Sequence, residues 1–372
     1  MKIAFYCPNK PLTHPHPSGD LIIAADIRDA LNQMGHTCEE IVRFRARWFW
    51  ETGTGRRQAV AALFHALART VSFKPDVWLT YHTYYKSPDV LGPWVSRLMQ
   101  LPYTLFQPMY ATKWRKDPRT RTGFYLNRLA LRAAGHVFTN NANDMAALAR
   151  IVPPNRITHL PPGILPEEFT RSAADGAAVR RTFGIPDEVP LLMTAARFRI
   201  GVKFESLAYL FRSLSLLAKT GRPFMLMVTG DGPMEAELKR TAARLLPGRV
   251  VFTGGISRKR MPALYSAADL FVFPGIGESL GMVFLEAQAC GLPVVALNTA
   301  GVPQVVQPGR TGVLVEEDDG TAMADATARL LDHPEEREFF GRNGPEFVRQ
   351  ERNTRDSHKR LAQGLERILS MA

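Results

Sequence analysis

Short apolar runs alternate with longer helical patterns along this 372-residue chain, and the alternation begins twice. In the first half, β-rich runs lie at 2–7, 38–42, 76–81, 103–106 and 136–139. A helical pattern over 21–34 follows the first of them and ends at Gly35, a residue typical of a helix C-cap. The alternation restarts at 190 and continues to 296. Strands that alternate with helices form parallel sheets, so the pattern predicts two Rossmann-like α/β domains.

A proline-rich stretch separates the two series of strands. Five prolines between 152 and 166 interrupt regular structure there. We therefore predict an N-terminal domain over 1–166 and a second domain over 167–345. Residues 346–372 have the pattern of a charged helix, which we expect to pack back across both domains. The predicted fold class is α/β, with two Rossmann-like domains that face each other.

Composition and cysteine content favour a globular protein of a reducing compartment. Hydrophobic residues make up 45% and charged residues 22%, which excludes an intrinsically disordered chain. Cys7, Cys38 and Cys290 lack the close spacing of a zinc site or a redox pair. The N-terminus lacks a secretion signal, and no apolar run approaches the roughly 18 to 20 residues of a membrane span. We therefore expect a cytoplasmic protein.

The segment 275–286, GIGESLGMVFLE, carries two carboxylates eight residues apart. On one helix they would lie about 12 Å apart along the axis, with an angular offset of roughly 80°, too far to share a proton or a metal ion. We therefore place Glu278 in a loop and Glu286 on the helix that follows. The amides of Ser279, Leu280 and Gly281 would then lie near the helix N-terminus, which favours a phosphate.

A nucleoside-diphosphate sugar fits that layout, because its phosphates lie between two hydroxyl-rich ends. The alternative interpretation is a pair of surface glutamates beside a buried helix. The segment resembles the E-x7-E motif of the retaining family 4 (group 1) glycosyltransferases, which have the GT-B fold, with Leu280 where that family commonly has Phe. The resemblance implies that Glu278 faces the donor sugar beside the reacting carbon, and that Glu286 accepts hydrogen bonds from the ribose hydroxyls.

Other segments extend this resemblance over nearly the whole chain. Arg197 and Lys203 are similar to the family's cations that neutralise the donor diphosphate, although Phe204 replaces the usual Gly after the lysine. Gly230 and Gly232 resemble its G-x-G-P turn, for which a simple β-turn is an alternative. Thr253 lies in a segment similar to the one beside the nucleotide base.

In the first domain the resemblance is weaker. Gly19, in the PSGD segment at 17–20, corresponds to a glycine of the family's phosphate-binding loop. His82 follows the strand at 76–81, at the sheet edge where α/β proteins bind ligands. The resemblance implies that His82 faces the donor sugar, and a packing or solvated histidine is the alternative.

Together these residues imply an enzyme that transfers a sugar with retention from a nucleoside-diphosphate sugar to a hydroxyl group. The acceptor would be a glycan, a lipid-linked compound or a small molecule. In the front-face displacement typical of the family, the leaving diphosphate helps to deprotonate the acceptor. The resemblance implies no cofactor and no metal ion, and we interpret the acidic run 316–319 as a solvated turn. A non-hydrolysing nucleotide-sugar epimerase of the same fold is the alternative function.

Positive charge is concentrated in the first half of the chain. Residues 1–160 contain 21 Lys and Arg against 10 Asp and Glu, while the remainder contains 26 against 25. Such a basic half can bind nucleic acid, but no nucleic-acid-binding motif accompanies it, so we expect no nucleic-acid partner.

The segment 43–50, RFRARWFW, together with Arg56 and Arg57, suggests a different partner. Arginine combined with tryptophan suits an anionic lipid interface, so we predict peripheral contact with the inner membrane face through Trp48 and Trp50. One alternative is a helix whose aromatic side chains enter the core of the first domain. The other is a basic surface that binds an anionic soluble glycan.

Overall fold

The computed structural model describes residues 1–15, 19–318 and 320–371. This part of the chain forms two compact units. The first unit contains Met1–Pro161 and the C-terminal residues from Arg355 onward, and the second contains Pro162–Thr354. In its described residues each unit has a six-stranded parallel sheet with helices packed against it, so the predicted α/β fold class is confirmed.

The first sheet consists of β1 (Lys2–Tyr6), β2 (Thr37–Val42), β3 (Val77–Tyr81), β4 (Tyr103–Phe106), β5 (His136–Thr139) and β6 (Ile157–His159). Its strand order is β2-β1-β3-β4-β5-β6. The order changes direction between β1 and β3, and such a switch point leaves a crevice at the carboxyl edge of the sheet.

The helices that follow these strands are α1 (Gly19–Gln33), α2 (Gly53–Phe73), α3 (Gly92–Met99), α4 (Pro118–Ala133) and α5 (Ala142–Leu148). Side chains alternate across a strand, so β1 serves two cores. Ile3 and Phe5 pack in the cluster that includes residues of α1. Ala4 and Tyr6 pack in the opposite cluster, with residues of α2, α3, α4 and α5.

The second sheet consists of β7 (Leu191–Ala195), β8 (Met225–Thr229), β9 (Val250–Gly254), β10 (Leu270–Val272), β11 (Val294–Leu297) and β12 (Gly312–Val315). Its order is β12-β11-β10-β7-β8-β9, so the switch point lies between β7 and β10. The helices of this unit are α6 (Ala173–Thr182), α7 (Val202–Lys219), α8 (Glu235–Leu245), α9 (Met261–Ala267), α10 (Met282–Ala289), α11 (Thr321–Asp332) and α12 (Pro334–Glu351).

The last helix, α13 (Thr354–Met371), belongs to the first unit. Leu361 and Leu365 are fully buried in the same cluster as Phe138 of β5, and Ser357 Oγ donates a hydrogen bond to the Pro161 carbonyl oxygen at 2.9 Å. The sequence pattern predicts domain boundaries at 166 and 345. The structure divides at Pro161 and Thr354, so α12 ends the second unit and α13 returns the chain to the first.

The aromatic segment 43–50 does not form the helix that was one interpretation of it. Trp48 has a left-handed backbone with φ 54°, and a short 3₁₀ helix, Phe49–Glu51, follows. The Trp48 ring centroid lies 5.3 Å from that of Trp50 and 6.0 Å from that of Tyr85. Both indoles are half-buried against other aromatic rings. Across the described residues, the helices are all too short or too polar to cross a lipid bilayer.

Candidate functional site

The loops that follow β7 and β10 carry three of the predicted site residues. Arg197 lies in the loop between β7 and α7, Lys203 in the first turn of α7, and Glu278 in the loop between β10 and α10. Because β7 and β10 are neighbours at the switch point, their loops meet at one edge of the sheet. Lys203 Nζ forms an ion pair with Glu278 Oε1 there.

This ion pair is shielded from much of the solvent. The side chain of Lys203 is 25% exposed and that of Glu278 is 17% exposed. Burial, together with the nearby Arg199, lowers the pKa of Lys203 to about 8. The Glu278 carboxylate acts in the opposite direction, because it favours the charged ammonium. Lys203 is therefore a cation that can lose its charge close to neutral pH.

The loop before α10 presents three backbone amides. Those of Ser279, Leu280 and Gly281 donate no hydrogen bond to any residue that the structure describes. Gly281 caps α10 with a left-handed backbone, φ 63°, and the Leu280 side chain is buried, at 8% exposure. Unpaired amides at the N-terminus of a helix attract an anion. As the sequence predicts, Glu278 lies in the loop and Glu286 on the helix.

Gly301 supports this loop from the segment that follows β11, the strand next to β10. Its N–H donates a hydrogen bond to the Glu278 carbonyl oxygen at 2.7 Å. A Cβ at this position would lie 2.1 Å from the Ser279 carbonyl oxygen, so a larger residue would displace the loop. Sequence reasoning missed Gly301, because the contact is made between segments that are far apart along the chain.

Arg197 is held by a residue of the turn after β8. Its Nη1 donates a hydrogen bond to Asp231 Oδ1 at 2.6 Å, and both side chains are exposed, at 62% and 48%. An ion pair as exposed as this one contributes little to stability. Arg197 can therefore exchange Asp231 for another anion at small cost.

The conformation and packing of that turn require glycine at two positions. Gly230 and Gly232 have φ of 146° and 145°, where only glycine is readily accommodated. A Cβ at Gly230 would lie 1.9 Å from the Ala196 carbonyl oxygen, and one at Gly232 would lie 2.6 Å from that of Phe198. The close approach seen here is thus to the Arg197 loop, which these glycines help to position. Direct contact of either glycine with a ligand stays a prediction.

Glu286 lies on α10 in a buried, fully engaged position. It is 7% exposed, its Oε1 accepts a hydrogen bond from Arg258 Nη1 at 2.7 Å, and its Oε2 accepts one from Tyr265 Oη at 3.0 Å. Burial raises the pKa of Glu286, while Arg258 and Tyr265 act to lower it. Each carboxylate oxygen keeps a second lone pair that could accept from a ligand hydroxyl.

Sequence reasoning missed both Arg258 and Tyr265. Arg258 lies in a short 3₁₀ helix, Arg258–Arg260, and Tyr265 lies in α9, so no local pattern connects them with Glu286. Thr253, the residue predicted near the nucleotide base, lies in β9 and its Oγ1 donates to Thr229 Oγ1 at 3.1 Å. It is therefore at the carboxyl end of β8 and β9.

Two predicted residues lie at the switch point of the first sheet. His82 follows β3 with φ 58°, an uncommon backbone for a residue other than glycine, and is 7% exposed. Its Nδ1 lies 3.3 Å from the Gln107 carbonyl oxygen, and burial lowers its pKa while Asp20 acts to raise it. Gly19 begins α1, and a Cβ there would meet nothing within 4 Å, so packing does not demand a glycine. Positions 17 and 18 of the PSGD segment lie outside the described residues.

The acidic run that begins at residue 316 includes a helix cap. Asp318 accepts hydrogen bonds from the amides of Gly320 at 2.8 Å and Ala322 at 3.1 Å, at the start of α11. These bonds lower the pKa of Asp318. The described residues contain no group of three or more His, Cys, Asp or Glu that could hold a metal ion.

Comparison with known families shows which kind of protein this site belongs to. The family model of the glycosyl transferases group 1 matches residues 177–347, a stretch that contains β7 to β12 and the residues just described around them. The matched part of the chain, which lies within the second unit, belongs to the group 1 glycosyl transferases. The resemblance that the sequence motifs indicated is therefore confirmed at the level of this family.

Curated relatives of the chain include two bacterial enzymes. A GDP-mannose-dependent alpha-(1-6)-phosphatidylinositol monomannoside mannosyltransferase of Mycolicibacterium smegmatis is 31% identical over 258 residues, 67% of this chain and 66% of the relative. An alpha-D-kanosaminyltransferase of Streptomyces kanamyceticus is 31% identical over 251 residues, 66% of this chain and 61% of the relative. The chain thus spans just under two thirds of the length of these relatives.

Solved structures share the fold. Sucrose-phosphate synthase from Thermosynechococcus elongatus matches with a TM-score of 0.75 and 21% identity, covering 100% of both chains. Anabaena HepE, solved in complex with UDP and glucose, matches with a TM-score of 0.74 and 20% identity, covering 98% of this chain and 99% of its own. At these identities the likeness establishes the fold of the chain.

The low pKa of Lys203 leads to a prediction of how the affinity for a nucleoside diphosphate depends on pH. Lys203 is a cation below about pH 8 and loses its charge as the pH rises through that value, so attraction for a diphosphate is present at low pH and lost at high pH. We expect the affinity for UDP or GDP, whichever binds more tightly, to fall by up to about fivefold between pH 8 and pH 9. Isothermal titration calorimetry across pH 7 to 9 measures this.

Two variants separate this effect from titration of the ligand. Lys203→Arg keeps its charge over the whole range, so its affinity should change little with pH. Lys219→Arg, an exposed position at the end of the same helix, should keep the wild-type pH dependence. If the affinity of Lys203→Arg for the nucleoside diphosphate falls with pH as much as that of the wild type, another group is responsible.

Proposed function

We propose that this chain is a retaining glycosyltransferase of family 4 that moves a sugar from a nucleoside-diphosphate sugar to a hydroxyl acceptor. The observation that carries the proposal is the Lys203–Glu278 ion pair beside the unpaired amides of residues 279–281, at the switch point of the second sheet. A cation and free N–H groups suit the diphosphate. The carboxylate beside them suits the hydroxyls of a sugar.

Each part of the donor has residues whose surroundings fit it. Lys203, Arg197 and the amides of 279–281 would hold the diphosphate. Arg197 is available for this role because its ion pair with Asp231 is exposed and weak. Glu286 would bind the ribose, since Arg258 and Tyr265 fix its carboxylate in one position and leave lone pairs for two hydroxyls.

Glu278 would contact the donor sugar beside the reacting carbon. Its carboxylate already neutralises Lys203, so a bound diphosphate would compete for the lysine and free Glu278 to accept hydrogen bonds from sugar hydroxyls. His82 of the first unit is proposed to face the donor sugar as a neutral imidazole, because burial disfavours its charged form. Gly19 is proposed to approach the donor phosphates, and Thr253 the base.

The reaction we propose is a front-face displacement. The bond between the anomeric carbon and the diphosphate oxygen breaks, and the acceptor oxygen bonds to the same face of that carbon. The acceptor proton passes to the departing phosphate oxygen. Lys203, Arg197 and the amides of 279–281 stabilise the negative charge that develops on the diphosphate. We propose that these groups do so without a metal ion.

The acceptor is proposed to be a glycan or a lipid-linked compound. The mannosyltransferase relative is named for phosphatidylinositol monomannoside, and 258 residues of this chain align with it. In this proposal the second unit binds most of the donor, so we propose that the first unit binds the acceptor. Its excess of basic residues suits an acceptor that carries phosphate.

The anomeric configuration of the product tests the reaction class. We expect proton NMR of the reaction mixture to show a product with the same anomeric configuration as the donor, and a chelator such as EDTA to leave the rate unchanged. An inverted product would overturn the retaining mechanism. Epimerised donor formed in the absence of any acceptor would favour the epimerase interpretation instead.

The two glutamates should have separable kinetic effects. We expect Glu278→Gln to lower kcat at least about tenfold with a smaller change in the donor KM, because its contacts strengthen at the reacting centre. Glu286→Gln should mainly raise the donor KM, by roughly 10- to 150-fold, since one charged hydrogen bond is worth about 1.5 to 3 kcal/mol. Steady-state kinetics with varied donor measures both.

The control for these variants is Glu237→Gln, which removes an exposed carboxylate on α8 that pairs only with its helix neighbour Arg240 among the contacts described here. It should retain wild-type kinetics. Wild-type kcat and KM in both site variants would refute the assignment of the donor site.

A further inference from the structure

Three neighbouring helices of the first unit expose large apolar side chains in pairs. In each helix the two members of a pair are four residues apart, so they lie on the same side one turn from each other. The pairs, with exposures, are Val60 (56%) and Phe64 (67%) on α2, Trp94 (58%) and Leu98 (63%) on α3, and Tyr125 (45%) and Leu129 (61%) on α4. We refer to these six residues as the apolar surface.

The three pairs belong to one continuous surface. α3 packs against both α2 and α4, and Val60, Trp94 and Leu129 line a common groove of about 360 Å³. The core is supplied by other positions of the same helices, among them Ala66 and Val95, which are fully buried. The apolar surface is therefore additional to the apolar residues that the fold needs, and a surface of this kind marks an interaction site.

The same helices carry charge of one sign. α2, α3 and α4 contain no Asp or Glu. Their arginines are Arg56, Arg57, Arg69, Arg97, Arg119, Arg121, Arg128 and Arg132. Helical spacing places several of them beside the apolar surface: Arg56 one turn before Val60, Arg97 one turn after Trp94, and Arg121 one turn before Tyr125.

Three of these arginines are not used to stabilise the fold, whereas Arg69 of α2 forms an ion pair with Glu39. The side chains of Arg56, Arg97 and Arg121 make no hydrogen bond or ion pair with any residue that the structure describes. The carboxylate that lines the groove, Asp89, is 1% exposed and accepts hydrogen bonds from the amides of Leu91 and Gly92. Other carboxylates near the surface, Glu51 and Asp117, lie at the ends of helices, outside the apolar surface.

We propose that the apolar surface of α2, α3 and α4 binds an anionic lipid bilayer. Its apolar side chains would enter the interfacial region, where an aromatic residue such as Trp94 is favoured, while the arginines around them contact lipid phosphates. Uncompensated positive charge disfavours a second copy of the chain as the occupant, because like charges would meet. Exposed Val, Leu and Phe do not suit a nucleic acid, whose surface is charged.

This surface differs from the membrane contact that the sequence suggested. Trp48 and Trp50 are half-buried against aromatic neighbours, whereas Phe64 and Trp94 are mostly exposed. The inference does not rest on the proposed transfer reaction, since membrane binding can be measured without donor or acceptor. Either proposal can therefore fail alone.

The test is flotation of the full chain with vesicles that contain phosphatidylglycerol and phosphatidylcholine in equal amounts, compared with phosphatidylcholine alone. We expect binding to the anionic vesicles that weakens as salt is raised. The double variant Phe64→Ser with Leu98→Ser should bind at least about tenfold more weakly, because two large apolar groups no longer enter the lipid. The matched control is Phe339→Ser, an exposed phenylalanine of α12 in the second unit, which should bind as wild type.

The double variant Arg56→Glu with Arg121→Glu tests how much positive charge contributes to vesicle binding. Each lost arginine should weaken binding roughly fivefold, and reversal of charge more than that. The control, Arg244→Glu, reverses an exposed arginine at the end of α8. Circular dichroism and thermal unfolding establish that the variants are folded, and only variants with a wild-type melting temperature are compared.

Four outcomes would overturn the proposal. These are no binding to anionic vesicles at low salt, equal binding to vesicles of phosphatidylcholine alone, an equal loss in Phe339→Ser, or retained binding in the Phe64 and Leu98 variant. Sedimentation equilibrium tests whether a second copy of the chain occupies this surface instead. Self-association that Phe64→Ser abolishes, without vesicle binding, would make this surface an interface between copies of the chain.

Discussion

The position of β10 beside β7 is the constraint on which the candidate site depends. In a parallel sheet every strand ends at the same edge, and the loops of two neighbouring strands approach a common ligand only where the strand order reverses. Lys203 comes from the first turn of the helix after the first of these loops, and Glu278 from the second loop, 75 positions further along by their numbers in the sequence. Their ion pair is the contact through which the two loops form one site.

The two carboxylates of the motif have different surroundings, and this difference supports different roles. Glu278 lies in a loop, partly exposed, and its partner is a lysine whose charge is weakened by burial. Glu286 lies on a helix, nearly inaccessible, and is fixed by an arginine and a tyrosine. A partly exposed ion pair suits a residue at a reacting centre. A buried carboxylate with two hydrogen-bond donors suits recognition of hydroxyls that do not react.

Periodicity predicted much of the fold, because strand and helix patterns are local. The strands at 103–106 and 136–139 agree with the structure at both ends. Contacts between distant segments were not predictable: the support that Gly301 gives to the Glu278 loop and the pairing of Arg258 with Glu286 depend on the assembled sheet. The apolar surface was missed for a related reason. A pair such as Val60 and Phe64 has the spacing of a core-facing stripe, and only the structure shows that it is exposed.

The central claim is that the second unit holds a diphosphate at its switch point, and calorimetry with the double variant Arg197→Ala and Lys203→Ala tests it most directly. A nucleoside diphosphate and the matching nucleoside are titrated into the double variant, the wild type, and a control with Arg212→Ala and Lys219→Ala on the same helix as Lys203. Two lost charged contacts of about 1.5 to 3 kcal/mol each predict at least a 100-fold weaker affinity for the diphosphate, roughly unchanged affinity for the nucleoside, and a control that binds as wild type. An equal loss for both ligands, or no loss for the diphosphate, would contradict the account.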